Sequence, residues 1–330
     1  MTRLHGTVAA NLHAYHKLDT EDIAAISTLR YTNHIGGVVH FHNVFEVDQS
    51  SILPYIDAMA YVPSCGLEIV KDENGNMLHG QTLDGQIISI DKLLSLPMRV
   101  GGGGMPEPVN PTTPSEIWQF FESIEEWLYR SLIRYCDLYP LIVNTIWWRM
   151  RGHCLKYLPD ASLGLHNDND TNTFTIDGQR YYSQREIGIY QVVNALAYFN
   201  DEYEGGEMHF PYLNLTIKPK TGDIIFFPAN YVGTHGVSKV LKGSRYSYLT
   251  QFGHGGEHRY EVAEAHLSES WLAPVFIPFL YQDHVAFSHS GFSDFNNERD
   301  VELGFHGSTI EGQQRSFEGP ATGTKLPYND

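Results

Sequence analysis

Cysteine is scarce in this 330-residue chain: Cys65, Cys136 and Cys154 are odd in number, and no two stand in a Cys-x-x-Cys spacing. This argues against a disulfide framework or a zinc knuckle and points to a reducing compartment, taken as the cytoplasm. Basic residues are also few. Lys and Arg number 22 against 39 Asp and Glu, a net charge of −17, which counts against binding to nucleic acid or an anionic membrane through a broad cationic surface. Long apolar runs are missing: the most hydrophobic late stretch, Trp271 to Tyr281, is too short to cross a bilayer and contains Pro274 and Pro278. The N-terminus has no apolar core of signal-peptide length. What the chain does have is apolar bulk, 42% of residues with 13% aromatic, enough for a large core. Length alone leaves one or two domains open.

The first 45 residues mix short apolar runs with His and Gly and give no firm element. Asp48 to Ile56 reads as a helix start, capped by Ser50 or Ser51, with Pro54 tolerated near the first turn. Asn74-Gly75, between Leu67–Val70 and Met77–His79, predicts a tight hairpin because both central residues need positive φ. Gly101 to Gly104, followed by Pro106, Pro108, Pro111 and Pro114, must be a loop. Thr113-Pro-Ser-Glu116 then opens the best helix in the sequence, 114–139. Ile117, Phe121, Ile124, Leu128, Leu132 and Tyr135 recur in it at three- and four-residue intervals, and Pro140 stops it. From Leu141 the period shortens to that of strands. Ile142–Met150, Cys154–Tyr157, Ile187–Phe199, Met208–Pro211, Leu213–Ile217, Asp223–Phe227, Gly236–Val240 and Tyr246–Phe252 fit an antiparallel sandwich or barrel. Beyond about Gly253 the pattern decays, and the end of the chain is expected to be flexible. Three regions result: a mixed region over 1–140, a β-rich core over 141–253 and an extension over 254–330.

His166 and Asp168 stand two residues apart at the end of a strand-like run, so an imidazole and a carboxylate point to one face and could share an ion. Taken alone, such a pair is most often a polar turn. His235 supplies a third ligand type downstream, and Arg245 and Ser247 follow on the next strand.

With these residues the segment from Leu141 to Gly253 resembles the double-stranded β-helix core of the iron(II)/2-oxoglutarate-dependent oxygenases, in particular the prolyl 4-hydroxylase-like branch. Tyr157 stands nine residues before His166. Tyr198-Phe-Asn is followed by Gly205-Gly-Glu207, and Pro219-Lys-Thr-Gly-Asp223 by an apolar strand, while Arg245 stands ten residues after His235. The chain departs from that branch at Asp160, where Gly is usual, and at Gln191 and Asn194, where Arg and Thr are usual. The resemblance implies a mainly β jelly-roll (cupin-like) fold with flanking helices. It further implies Fe(II) held by His166, Asp168 and His235, with 2-oxoglutarate and O2 as co-substrates and ascorbate as a supporting reductant. It assigns the 2-oxoglutarate carboxylate to Arg245, with Ser247 and Tyr157 as further donors. Related halogenases have Gly or Ala at the position of Asp168, so this carboxylate implies oxygen transfer rather than halide transfer.

For the substrate, the polar stretch from Asn169 to Ser183, with a turn at Asp177-Gly178, predicts a hairpin folding over the metal as a lid. Its acids, amides and tyrosines, with the acidic net charge, suit a small amino-acid-like substrate, cationic by preference. Alternatives are a peptidyl or protein prolyl-type hydroxylase, a natural-product tailoring oxygenase (desaturation included), and a metal-binding jelly roll without redox chemistry. A nucleic-acid demethylase is disfavoured, since Gln251 stands where that branch has a second Arg.

Overall fold

The computed structural model describes residues 20–63, 68–81, 87–97, 114–139, 142, 145–146, 148–150, 152–169, 173–176, 179–182, 191–253 and 272–274. The Gly101–Gly104 loop, the Asp177-Gly178 turn and the chain end lie outside them. Helix α1 (Thr20–Thr28) leads into strands β1 (Tyr31–Asn33) and β2 (Val39–Phe41), and α2 (Ile52–Asp57) precedes β3 (Val62–Pro63). Next come β4 (Glu68–Lys71), β5 (Met77–Gln81), β6 (Ile87–Ile88) and β7 (Leu93–Pro97), then α3 (Ser115–Leu138). The remaining strands are β8 (Trp148–Met150), β9 (His153–Tyr157), β10 (Leu163–His166), β11 (Thr173–Ile176), β12 (Gln179–Tyr182), β13 (Gln191–Tyr198), β14 (Glu204–Gly205), β15 (Met208–Phe210), β16 (Leu215–Ile217), β17 (Ile224–Pro228), β18 (His235–Val237), β19 (Val240–Lys242), β20 (Arg245–Gly253) and β21 (Leu272–Pro274).

Two antiparallel sheets carry the fold. The larger runs β1-β2-β17-β13-β20-β9-β7-β3, with β8 and β21 appended at the end of β20; the smaller runs β10-β18-β15-β16. The architecture is a double-stranded β-helix with flanking helices. Alternation along the large sheet divides the apolar residues between two cores. Leu196, Tyr198, Ile225 and Phe227 join Met208, Phe210 and Val237 of the smaller sheet in the inner core. Val193, Ala195, Ala197, Ile224 and Phe226 face the opposite way, toward α3.

Helix α3 forms where its apolar stripe falls at helical spacing, and Ile117, Phe121, Ile124, Leu128, Leu132 and Tyr135 are buried against the sheet. Each such side chain contributes about 1.5–3 kcal/mol by leaving water. One polar group is built into this face: Tyr248 Oη on β20 donates to buried Glu125 Oε1 at 2.6 Å. Pro114 has extended backbone and serves as the N-cap, so the helix begins at Ser115, one residue later than expected, and Thr113 lies outside the described residues.

Other expectations need local correction. Neither Ser50 nor Ser51 caps α2 through its side chain; Asp48 Oδ1 instead accepts from Ser50 N, Ser50 Oγ and Ser51 N. An aspartate three residues before the cap can satisfy those amides because the chain turns back on it. The expected strand over Ile142–Met150 shrinks to β8, with Ile142 in a turn that accepts from Thr145 N. Gly236–Val240 divides into β18 and β19, because Val237 pairs with β10 and β15 whereas Val240 pairs with Gly205 of β14. A hairpin forms around Asn74-Gly75, but only Gly75 takes positive φ, 82°, and the loop is closed by Asp72 N donating to Asn76 O, with a register shift between Val70 and Lys71, so the turn is not the tight two-residue type expected.

Candidate active site

His166 and His235 are direct cross-strand partners, the last residue of β10 facing the first of β18. A register shift between Leu163 and His166 sets this pairing, and the ring centroids lie 4.4 Å apart. Asp168 follows in a turn held at its root, where Asp168 N and Asn169 N both donate to Ala229 O at 3.0 Å. His166 Nε2 then lies 3.6 Å from Asp168 Oδ1, and ligand-type atoms of His166, Asp168 and His235 all fall within 4.8 Å of one another.

The orientation of the rings is also fixed. His166 Nδ1 lies 2.8 Å from Gly164 O, and His235 Nδ1 lies 3.0 Å from Gly233 O. A carbonyl can only accept, so each Nδ1 carries a proton, and the nitrogen left to meet a metal is Nε2. Burial, then the neighbouring His166, holds the His235 pKa well below its ordinary value, so this ring stays neutral. Burial pushes Asp168 upward, opposed by His166 and by Asn194. Asn194 Nδ2 donates to Asp168 Oδ2 at 2.6 Å, leaving Oδ1 turned toward the imidazoles. Phe227 and Phe210, with ring centroids 4.6 and 5.8 Å from His235, form the apolar wall. Two neutral imidazoles and one carboxylate fit an iron(II) ion that keeps open positions for other ligands.

Arg245, the first residue of β20, is completely buried. Its Cζ lies 4.7 Å from the Tyr157 ring and 5.0 Å from the Tyr198 ring, and Nη2 reaches Tyr198 Oη at 3.3 Å. Nε and Nη1 of Arg245 and Oγ of Ser247 are buried without a hydrogen-bond partner. Orphaned donors of this kind are costly, and a carboxylate resolves them. The Gly-Gly motif makes room: a Cβ on Gly206, at φ 69°, would approach Arg245 Cδ to 3.2 Å, and one on Gly205 would meet Lys239 O at 2.0 Å.

All six residues singled out in the sequence therefore lie in two neighbouring groups, His166, Asp168 and His235 in one, Tyr157, Arg245 and Ser247 in the other. Sequence reasoning missed the part played by Asn194, Tyr198 and Ala229. Asn194 left a signal as a carboxamide within a mostly apolar strand, and Tyr198 as part of the Tyr198-Phe-Asn motif, while Ala229 left none. Asn194 Oδ1 is buried without a partner, and Gln251, paired with Asn194 across β13 and β20, is held by Gln191 Nε2 at 2.8 Å. The expected hairpin exists as β11 and β12, paired from Thr173↔Tyr182 to Ile176↔Gln179. Of the histidines set aside, His209 meets Thr216 Oγ1 on the surface; His254, His258, His284, His289 and His306 lie outside the described residues. No helix among the described residues is long and apolar enough to cross a membrane.

A double-stranded β-helix that brings two imidazoles and a carboxylate together, with a buried arginine nearby, can hold a divalent metal and a carboxylate-bearing ligand. Residues 152–253 match the sequence model of the 2OG-Fe(II) oxygenase superfamily. Within those residues the chain is similar to that superfamily, and the match spans all three candidate metal ligands as well as Arg245 and Ser247. It is 34% identical over 76 residues to a "Putative prolyl 4-hydroxylase" of Acanthamoeba polyphaga mimivirus, covering 22% of this chain and 29% of that one. It is 42% identical over 91 residues to "Prolyl 3-hydroxylase 2" of Homo sapiens, covering 26% and 13%. The chain thus spans less than a third of the length of these curated relatives. Among solved structures, a prolyl hydroxylase in complex with a hypoxia inducible factor peptide fragment, from Trichoplax adhaerens, is similar at 13% identity and a TM-score of 0.42, over 72% of this chain and 90% of that one.

Proposed function

We propose that this protein hydroxylates a C–H bond of a prolyl-type peptidyl substrate, converting 2-oxoglutarate and O2 to succinate and CO2. The observation that carries the chemistry is the convergence of His166, Asp168 and His235 beside the unpartnered Nε and Nη1 of Arg245 and Oγ of Ser247. In this reading iron(II) with 2-oxoglutarate supplies the oxidising power, and the chain supplies position and exclusion. His166 and His235 present Nε2, and Asp168 presents Oδ1 because Asn194 occupies Oδ2. Arg245 and Ser247 receive the far carboxylate of the co-substrate, and Tyr157, packed on the guanidinium, lines that pocket. Leu196, Phe210, Phe227 and Val237 keep water from its walls.

For the substrate, similarity to two proteins named as prolyl hydroxylases favours a prolyl residue in a peptide over the small, cationic amino-acid-like substrate expected from the sequence. The lid role of β11 and β12 belongs to the same proposal, supported by their position directly after Asp168. The test is succinate release with iron(II), comparing proline-containing peptides with free amino acids, and mass spectrometry of the products. Coupled gain of one oxygen on a peptide proline is the expected result. Turnover on free amino acids alone would return the small-substrate reading.

A further inference from the structure

A second cluster of metal-ligating side chains lies at the far end of the large sheet, and no part of the oxygenase chemistry uses it. His40 and His42 flank the end of β2, on the same face by strand alternation, and Asp223 immediately precedes β17, the neighbouring strand. Ligand-type atoms of all three fall within 4.8 Å of one another. The rings of His40 and His42 are 4.1 Å apart, closely matching the 4.4 Å between His166 and His235. His40 and Asp223 are buried, while His42 is half-buried and gives an ion a way in from solvent. His34 stacks beside His40 at 6.5 Å, and its Nε2 is buried without a hydrogen-bond partner.

We propose that His40, His42 and Asp223 form a second site for a divalent cation of the zinc type, three protein ligands with one position left for water. The competing arrangement is a proton shared between His40 Nε2 and Asp223 Oδ2, which lie 2.7 Å apart. That hydrogen bond accounts for His40, and the contact of His42 Nε2 with Thr32 leaves the other ring nitrogen of His42 free to join the cluster. Ligand atoms around a tetrahedral zinc lie about 3.3 Å apart, so the ion displaces that proton and parts His40 from Asp223 by about half an ångström. Asp223 is already aimed by Asn43 N and Lys220 N, each at 2.9 Å, and His42 Nε2 is steadied by Thr32 Oγ1 at 2.8 Å. Outer hydrogen bonds of this kind orient metal ligands. Two imidazoles and one carboxylate suit zinc better than calcium or magnesium, which take oxygen ligands.

The two sites are separate. Phe227, four residues along β17 from Asp223, is the residue that touches His235, which puts roughly 13 Å of strand between them. An ion at the second site would clamp β1 and β2 to the barrel through β17.

The test is zinc stoichiometry of the full chain, stripped with chelator, reloaded with Zn(II) and desalted before elemental analysis. Wild type is expected to retain two equivalents. The H166A/D168A variant, which removes the oxygenase site, is expected to retain one, and its melting temperature to rise on adding Zn(II). His42→Ala, at a half-buried position tolerant of truncation, should retain one equivalent in an otherwise wild-type chain, and in the H166A/D168A background should abolish both the bound zinc and the thermal shift. A single equivalent in wild type with none in H166A/D168A overturns the proposal, as does a stoichiometry that H42A leaves unchanged.

Discussion

Replacing Arg245 by lysine isolates the co-substrate pocket from the metal site. The guanidinium is buried between two tyrosine rings, and its Nε and Nη1 have no partner until a carboxylate arrives. Lysine keeps the positive charge but not the planar fork, so it forms at most one of the two parallel hydrogen bonds to that carboxylate. A hydrogen bond to a charged group contributes about 1.5–3 kcal/mol, which corresponds to roughly 10- to 150-fold in affinity. The dissociation constant for 2-oxoglutarate, measured anaerobically with Mn(II) in place of iron, should rise by that factor in R245K. Ser247→Ala, which removes one neutral donor, should cost about 1 kcal/mol, or roughly fivefold. With 2-oxoglutarate saturating, the KM for the peptide should not change. An R245K variant that melts like wild type and binds 2-oxoglutarate equally well would refute the assignment of this pocket.

Asn194→Ala frees Asp168 Oδ2 and lets the carboxylate rotate; metal affinity should fall about 10- to 100-fold, read by Mn(II) titration, and an unchanged affinity would remove Asn194 from its positioning role. Tyr248→Phe takes a donor from the buried Glu125 and should destabilise the fold by about 1–3 kcal/mol, seen in denaturant unfolding, whereas binding of 2-oxoglutarate stays as in wild type. Burial pushes the Cys136 and Cys154 thiols up, so iodoacetamide at pH 8 should leave both unmodified in the native protein and label both after unfolding; mass-spectrometric mapping decides it.

How much of this was legible in the sequence depends on whether the relevant geometry is local. His166 and Asp168 are two residues apart, and strand alternation alone puts them on one face. Arg245 and Ser247 share a face for the same reason. Helix α3 was legible because its apolar stripe repeats over six turns, and only its first residue shifted. The bond from Asn194 to Asp168 was not legible: it links residues from different strands, and its length depends on a turn anchored to a third, at Ala229. Nor could the sequence show that Asp48, rather than either serine, would cap α2, since all three are good acceptors and only the backbone path chooses among them. The pairing of Tyr248 with Glu125 depends on where α3 docks, which no spacing within either element encodes. His40, His42 and Asp223 escaped notice because the aspartate lies 183 residues after His40.

Ala229 has one further effect. Its carbonyl receives the amides of Asp168 and Asn169 where the chain leaves the barrel, and its own amide donates to Val192 O where the chain returns. Both ends of the excursion between Asn169 and Gln191 are thus soldered to a single residue of the barrel, and the gap between them is set without reference to what fills it. The barrel therefore treats that excursion as an exchangeable cassette. The bonds that hold Asp168, Asn169 and Val192 to Ala229 are all backbone, so they do not depend on the side chains of the segment between them.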